Sequence, residues 1–348
     1  MDRYIGLDAH STSCTLAVVG PSGRRLGSQV IETNGQALIE AIRGIPKPRH
    51  LCMEEGTSSA WLHELLSPHV DELVVVGVTV SRGPKSDQRD AFGLAEALRL
   101  GAIAMPVFKA PSRFALLREL ARTYSMLARD VVRIKNRIKS VYRARGVSTP
   151  GKTVYGTQER EAWLARLPAA SRAAAELLYA ELDALRPLRV EAEKQLVAES
   201  HRHPISRVLE TCPGLGAIRV AQLVPIVVTP ERFRTSRQFW SYCGLGIVMR
   251  SSNDWVRQGE RWLRSEVQKT RGLNRRHNST LKAIFKGAAT TVVTAQPDEP
   301  LRQSYERLLS QGTKPNLAKV TVARKIAATA LAMWKRQEVY EPTRYLKK

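Results

Sequence analysis

Apolar and polar positions change their period along this chain, and each change marks a different kind of element. Residues 4–8 and 13–20 alternate or run apolar on either side of the polar turn His10-Ser11-Thr12, which predicts a β-hairpin. A third strand is expected over 25–32. Asn34 then offers an N-cap for a helix reaching about Arg43. Pro46 and Pro48 break the chain ahead of a strand at 50–54, and a helix follows from Ser58 to Leu66. The run Leu73-Val74-Val75-Val76-Gly77-Val78-Thr79-Val80 reads as a buried strand. Gly83-Pro84 turns the chain, and Asp87 opens a helix to about Leu100.

Beyond Ser112 the period becomes helical. Leu116, Leu120, Leu127, Val131, Ile134, Ile138 and Val141 mark a helix to Arg145, and an Ala- and Glu-rich stretch over 158–200 adds a second, split near Arg186-Pro187. Together they predict a long helical hairpin, as a coiled coil or as an ordinary bundle. From Ile205 a third pattern begins. It contains an apolar helix at 218–227, an aromatic stretch Phe239-Trp240-Ser241-Tyr242 expected to be core, a Ser-rich loop, a basic helical stretch over 257–287 and a helix at 316–335. The order βββαβαβα of the first hundred residues matches an α/β domain of ribonuclease H type, a hairpin meander continued by right-handed crossovers. The expected division is 1–110 for this domain, 111–204 for the helical linker and 205–348 for a mainly α third domain.

Composition narrows the partners. The 348 residues carry 55 Lys and Arg against 32 Asp and Glu, a formal net charge of +23. Such an excess costs stability through self-repulsion, and polyanions are the usual reason to keep it. An anionic membrane is the rival, but no polybasic segment adjoins an apolar helix and no run nears the roughly 18 apolar residues of a membrane span. The start MDRYIGLDAH lacks the apolar core of a signal peptide. Cys14, Cys52, Cys212 and Cys243 lie far apart, which supports neither a zinc site nor a disulfide framework. A reduced, cytoplasmic protein is expected.

Within that cationic frame, four carboxylates sit at element ends. Asp8 closes the first strand, Glu54 closes the strand at 50–54, and Asp87 and Asp90 share the face of one helix start. In the predicted order they converge at one edge of the sheet. Gathered carboxylates repel one another unless a divalent cation lies between them, and hard oxygen donors suit Mg²⁺ with positions left for substrate phosphate. N-capping alone accounts for an isolated Asp87 but not for the set. Glu54 directly follows Met53 and is preferred over Glu55, although alternation leaves the choice open. His10 is within reach of the pocket by its position, but turn chemistry is the favoured reading. A Mg²⁺ pocket on a basic protein points to nucleic-acid phosphodiester chemistry.

Cationic segments supply the complementary surface. Arg129, Arg133, Lys135, Arg137 and Lys139 recur beside the apolar stripe of the helix at 113–145, in a spacing that suits backbone phosphates. Arg271, Arg275 and Arg276 form a second cluster. Pro213-Gly214-Leu215-Gly216 is either a helix-hairpin-helix turn approaching phosphate or an ordinary interhelical turn. Ser251-Ser252 follows Gly244-Leu245-Gly246 and lies between Arg250 and Arg257, with Asn253-Asp254 adjacent. No histidine is near in sequence, so a serine-hydrolase triad is unsupported. A serine attacking phosphorus beside arginines is chemically sound.

Gly6-Leu7-Asp8-Ala9-His10, Met53-Glu54 and Lys85-Ser86-Asp87-Gln88-Arg89-Asp90-Ala91, followed by Pro213-Gly214-Leu215-Gly216, Tyr242-Cys243-Gly244-Leu245 and Ser251-Ser252, resemble the DEDD transposases of insertion sequences over almost the whole chain. The resemblance implies a RuvC-like first domain, a carboxy-terminal transposase domain and recombination of DNA guided by a bridge RNA. It implies that Asp8, Glu54, Asp87 and Asp90 form a Mg²⁺-binding tetrad. It also implies that Ser252, eight residues after Gly244, forms a phosphoserine link to DNA. Ile247 and Asn253 stand where many relatives carry Pro and Gly, which keeps Ser251 as an alternative and suggests a divergent subgroup. The acidic set and the serine fall in different predicted domains, so a composite site in a homodimer or homotetramer is implied. Other readings are a metal-dependent nuclease of the Holliday-junction type acting by hydrolysis, a sugar-kinase or actin-like ATPase, and a non-catalytic nucleic-acid-binding protein.

Overall fold

The computed structural model describes residues 1–77, 86–103, 106–107, 114–249, 255–264 and 270–345. The chain divides into two units, Met1–Ser112 and Arg113–Lys348. The first is built on strands β1 (Arg3–Ala9), β2 (Ser13–Val19), β3 (Arg25–Glu32), β4 (Arg49–Glu54) and β5 (Glu72–Val76), in the sheet order β3-β2-β1-β4-β5. The first three pair antiparallel, while β4 lies parallel to β1 and β5 parallel to β4. Helices α1 (Gly35–Arg43) and α2 (Ser59–Leu66) form the crossovers, and α3 (Asp87–Arg99) follows. The expected order holds through this unit. The run expected to remain extended to Val80 is a strand only to Val76, and 78–85 lie outside the described residues.

Pleat alternation decides which face each helix covers. Ile5, Leu7, Leu16, Leu51 and Met53 point to one side, where Leu38 and Ile42 of α1 and Leu62 and Leu66 of α2 close a buried core. Asn34 caps α1 by accepting from the amides of Gln36 and Ala37, as its side chain predicts. The opposite face packs Ala17 and Val19 against Ala91, Phe92 and Ala95 of α3. Gly6 allows this approach. A Cβ there would lie 1.8 Å from the Ala91 carbonyl oxygen.

The second unit begins with α4 (Ala115–Arg143), the short α5 (Arg160–Leu164) and α6 (Ala169–His201). Val131, Ile134, Ile138 and Tyr142 of α4 pack with Ala175, Tyr179 and Leu182 of α6, closed by Trp163 and Leu164. The Tyr142 and Tyr179 hydroxyls meet at 3.0 Å, and Tyr179 donates on to the Val154 carbonyl. The expected split at Pro187 does not occur, because α6 runs through it. Proline removes one helical hydrogen bond there, and tertiary contacts offset the loss. Arg160 grips Asp183 through both carboxylate oxygens at 2.6 and 2.9 Å, and Arg186 reaches the Tyr155 carbonyl.

The Arg160 hydrogen bonds hold the Asp183 carboxyl below its ordinary value, against a smaller opposing effect of burial. A depressed carboxylate adds stability above its unfolded value, and that stability is lost as pH falls through the lower folded value. Asp183 is about a third exposed, so solvent screens the pair and Asp183→Asn is expected to cost roughly 1 kcal/mol or less at neutral pH. In urea melts the difference between the two proteins should begin to shrink below about pH 4, the ordinary carboxylate value, and vanish only below the depressed folded value.

The remaining helices are α7 (Pro204–Glu210), α8 (Ala217–Val227), α9 (Ser236–Tyr242), α10 (Ser279–Ala295), α11 (Pro300–Ser310), α12 (Pro315–Arg336) and α13 (Pro342–Tyr345). Phe239 is buried edge-on against Phe285, with Phe233 beside it. The Pro213-Gly214-Leu215-Gly216 turn joins α7 to α8. Its Gly214, at φ +72°, faces the Ala288 carbonyl of α10 so closely that a Cβ would lie 2.4 Å away. Close packing is therefore one reason for this glycine.

The basic stretch expected to be helical over 257–287 is different. It contains strands β7 (Trp255–Gln258), β8 (Arg261–Arg264) and β9 (Thr270–Leu273), and helix begins only at Ser279. β7 and β8 form a hairpin around Gly259-Glu260, while β9 pairs with β6 (Ile247–Met249). Gly259 adopts φ +66° at the first turn position, where glycine is favoured in two-residue hairpins. No described helix is long and apolar enough to cross a membrane.

Candidate metal centre and nucleic-acid interface

Asp8 and His10 end and follow β1 on one face of the pleat, and Asp87 is the first residue of α3. Because α3 rests on Gly6, its first turn arrives beside the end of β1. His10 Nε2 lies 3.3 Å from Asp8 Oδ2 and 3.5 Å from Asp87 Oδ1. One donor atom from each of the three side chains falls within 4.8 Å of the others. β1 is flanked by β2 and β4, so this cluster sits at the end of the central strand of the sheet.

Asp8 is the electrostatic centre. Burial, the largest influence, raises its carboxyl above the ordinary value, and the charges of Asp87 and Asp90 push the same way. His10 opposes the rise through its charge and a hydrogen bond. Asp90 is thus within the field of Asp8, three residues along the helix from Asp87. Glu54 ends β4. Since Leu7 pairs with Met53, Glu54 occupies the strand position next to Asp8. Cys52 and Glu54 alternate with the core residues Leu51 and Met53. They therefore point to the α3 face, and burial and then the Glu54 charge push the Cys52 thiol up to about 12. The backbone of Glu55 instead donates to the Val76 carbonyl.

His10, for which turn chemistry is the favoured expectation, joins Asp8 and Asp87 in this cluster. The legible signal was its two-residue offset from Asp8, which gives both the same side of an extended chain. Two carboxylates and an imidazole with converging donors form a chemically fit set for a divalent cation: oxygen suits Mg²⁺ and Mn²⁺, and imidazole widens the choice toward softer metals.

The cations sort by face. Arg129, Arg133 and Arg137 recur every fourth residue along the exposed side of α4, where Arg133 pairs with Asp130 at 2.7 Å. Lys135 and Lys139 turn toward the Tyr155 ring, and Lys139 donates to the Gly151 carbonyl. Burial, then the Arg186, Arg189 and Lys152 charges, lowers the Lys135 ammonium below its ordinary value. Exposed Arg257 lies on β7, and exposed Arg275 and Arg276 follow β9. Asn274 organises that last segment by donating to Ser241 and to the Arg276 carbonyl. The His277 ring packs against Gly244, where φ is +66° and a Cβ would lie 2.5 Å from the imidazole. Arg250, Ser251 and Ser252 lie outside the described residues, as does the Arg271 side chain.

A mixed five-stranded sheet with a helix covering its central strand is the layout of an RNase H-like domain, the fold that the DEDD transposase match implies, and that domain type suggests use of a divalent metal. The chain belongs to the IS116/IS110/IS902 family of transposases. A DEDD transposase model, described as "Transposase", matches residues 5–144, and one described as "Transposase IS116/IS110/IS902 family" matches residues 206–306. The insertion element IS116 uncharacterized 44.8 kDa protein of Streptomyces clavuligerus is 23% identical, across 97% of this chain and 96% of its own length. The insertion element IS110 uncharacterized 43.6 kDa protein of Streptomyces coelicolor is 29% identical over 47% of this chain and 37% of its own. Membership of a transposase family implies DNA as substrate and its cleavage and rejoining.

Proposed function

We propose that this protein cuts and rejoins DNA through a phosphoserine intermediate assisted by Mg²⁺. The observation that carries the reading is the meeting of Asp8 and Asp87 around His10, with Asp90 in the same field and Glu54 on the neighbouring strand. Asp8, Glu54, Asp87 and Asp90 would hold the cation, which when bound neutralises charge developing on the scissile phosphate. Ser252 is the nucleophile. Its hydroxyl oxygen gives up its proton and bonds to phosphorus as the bond between phosphorus and the sugar oxygen breaks, and that leaving oxygen takes up a proton to become the sugar hydroxyl. The phosphoester retains the bond energy, so rejoining needs no nucleotide.

Arg129, Arg133, Arg137, Arg257, Arg275 and Arg276 carry exposed cations suited to backbone phosphates, and Lys135, Lys139, Arg250 and Arg271 belong to the same proposed surface. A guide RNA chooses the sequence by base pairing, leaving the protein to hold the backbone. The working form is a homodimer or homotetramer, with residues 1–110, 111–204 and 205–348 as metal-binding, assembly and nucleophile-bearing parts.

The test is adduct capture. Denaturing electrophoresis after incubation with cognate DNA should reveal a protein–DNA adduct that Ser252→Ala abolishes and Ser251→Ala retains. If both variants cut and rejoin at the parental rate, the serine reading fails and hydrolysis by a metal-dependent nuclease replaces it.

A further inference from the structure

The β7–β8 hairpin is an excursion between two strands that pair with each other. The chain leaves β6 at Met249, forms the hairpin Trp255–Arg264, and returns as β9, where Ile247 pairs with Leu273 and Met249 with Thr270. A two-stranded ribbon alone is marginally stable in water, and this one buries little of its aromatic surface. Trp255 is 58% exposed and Trp262 is 64% exposed.

Arg257 lies directly across from Trp262, and Trp255 is two residues before Arg257 on the same strand. All three therefore share one face of the pleat. The two indoles are diagonal neighbours, at the roughly 7–8 Å such positions have. Arg257 is tethered to the turn by donating from Nε to the Gly259 carbonyl at 3.2 Å. The sequence 255–264 contains three arginines, at 257, 261 and 264, against a single acid, Glu260. The ribbon thus presents large flat aromatic groups interleaved with cations, on a chain of net charge +23. Aliphatic groups, which would suit a protein partner, are sparse on that face.

We propose that this hairpin is a stacking platform for an unpaired DNA strand, with the indoles of Trp255 and Trp262 against base faces and Arg257 against the backbone. Paired bases in a duplex hide their faces, so indoles gain most from single strands, and they do so with little sequence preference. The choice of DNA rests on the strand-cutting reading above, since strands that change partners have to leave their duplex. The platform holds the freed strand; it is not part of the acidic cluster.

Tryptophan fluorescence of the full chain, titrated with a mixed-sequence single-stranded oligodeoxynucleotide, tests this directly. Four further tryptophans give a constant background, so quenching is read as the difference between parent and variant. Trp255→Ala and Trp262→Ala should each weaken binding about tenfold, while Trp255→Phe and Trp262→Phe keep most of it. The same oligonucleotide as duplex should bind with little dependence on either tryptophan. Parental affinity in the double alanine variant overturns the proposal. So does a strong preference for an oligoribonucleotide of the same sequence, or a double variant that dissociates in sedimentation while its strand binding is unchanged. Asp8→Asn separates the two readings, because it should stop cleavage and leave tryptophan-dependent quenching intact. Intact quenching in a parent that never cuts DNA would sink the cleavage reading alone.

Discussion

Gly6→Ala is expected to destabilise the first unit severely, by about 3 kcal/mol or more, the upper range for overpacking a core. The added carbon would sit 1.8 Å from the Ala91 carbonyl oxygen and 2.8 Å from the Ala95 amide nitrogen. Both are backbone atoms, so no rotamer change relieves the clash, and neither does trimming the Ala91 side chain. Helix α3 has to lift from β1, which opens the Ala17, Val19, Ala91, Phe92 and Ala95 core and withdraws Asp87 and Asp90 from Asp8. Gly93 is the internal control. It lies on the exposed side of the same helix with nothing within 4 Å of an added carbon, so Gly93→Ala should stabilise by about 0.5–1 kcal/mol. Hydrogen exchange of the β1 amides reads both effects locally. Parental protection in Gly6→Ala would show that α3 does not rest on β1 as described.

The dependence on Gly6 explains what was and was not legible in sequence. Strands and helices of the first unit follow from local signals, namely alternation through Ile5 and Leu7, the Asn34 cap and the break at Pro46 and Pro48. Position at the ends of elements singled out Asp8, Glu54, Asp87 and Asp90. Which of them meet depends on parallel pairing and on α3 lying over Gly6, and both are long-range facts. His10 is ambiguous in sequence because a histidine after a strand is also ordinary turn chemistry. The β7–β8 hairpin escaped for another reason. Both of its faces carry large exposed groups, Trp255 and Trp262 on one and Leu263 on the other, so there is no alternation of apolar with polar to read. Only the Gln258-Gly259-Glu260-Arg261 turn signalled it. Pro187 alone does not decide where α6 ends, because the Arg160–Asp183 and Arg186–Tyr155 contacts that carry the helix past it join residues more than twenty positions apart. Lys135 and Lys139 show the same limit: a regular row of cations cannot reveal that two of them also lie over an aromatic ring.

Asp8→Asn should separate function from folding. DNA cleavage is expected to fall roughly a thousandfold, the equivalent of the several kcal/mol of charge stabilisation that a bound cation supplies. Folding should respond in the opposite direction. Burial and the charges of Asp87 and Asp90 raise the Asp8 carboxyl, so the ionised form is disfavoured in the folded chain. The stability contributed by the protonated form is complete below the unfolded value and is lost as pH rises through the raised folded value. Near neutral pH without divalent metal, the asparagine protein should melt at or above the parental temperature. Adding Mg²⁺ or Mn²⁺ should raise the parental melting temperature in proportion to occupancy, about 2.7 kcal/mol of stabilisation at a hundred times the dissociation constant. The same additions should leave Asp8→Asn nearly unmoved. Thermal melts across a metal series, run beside a cleavage assay, read all three effects. A variant that cuts at the parental rate, or one stabilised by metal as strongly as the parent, would mean that Asp8 is structural and that the cation, if any, binds elsewhere. A variant that simply unfolds would contradict the sign of the Asp8 shift, because removing an ion from a crowded anionic cluster relieves repulsion.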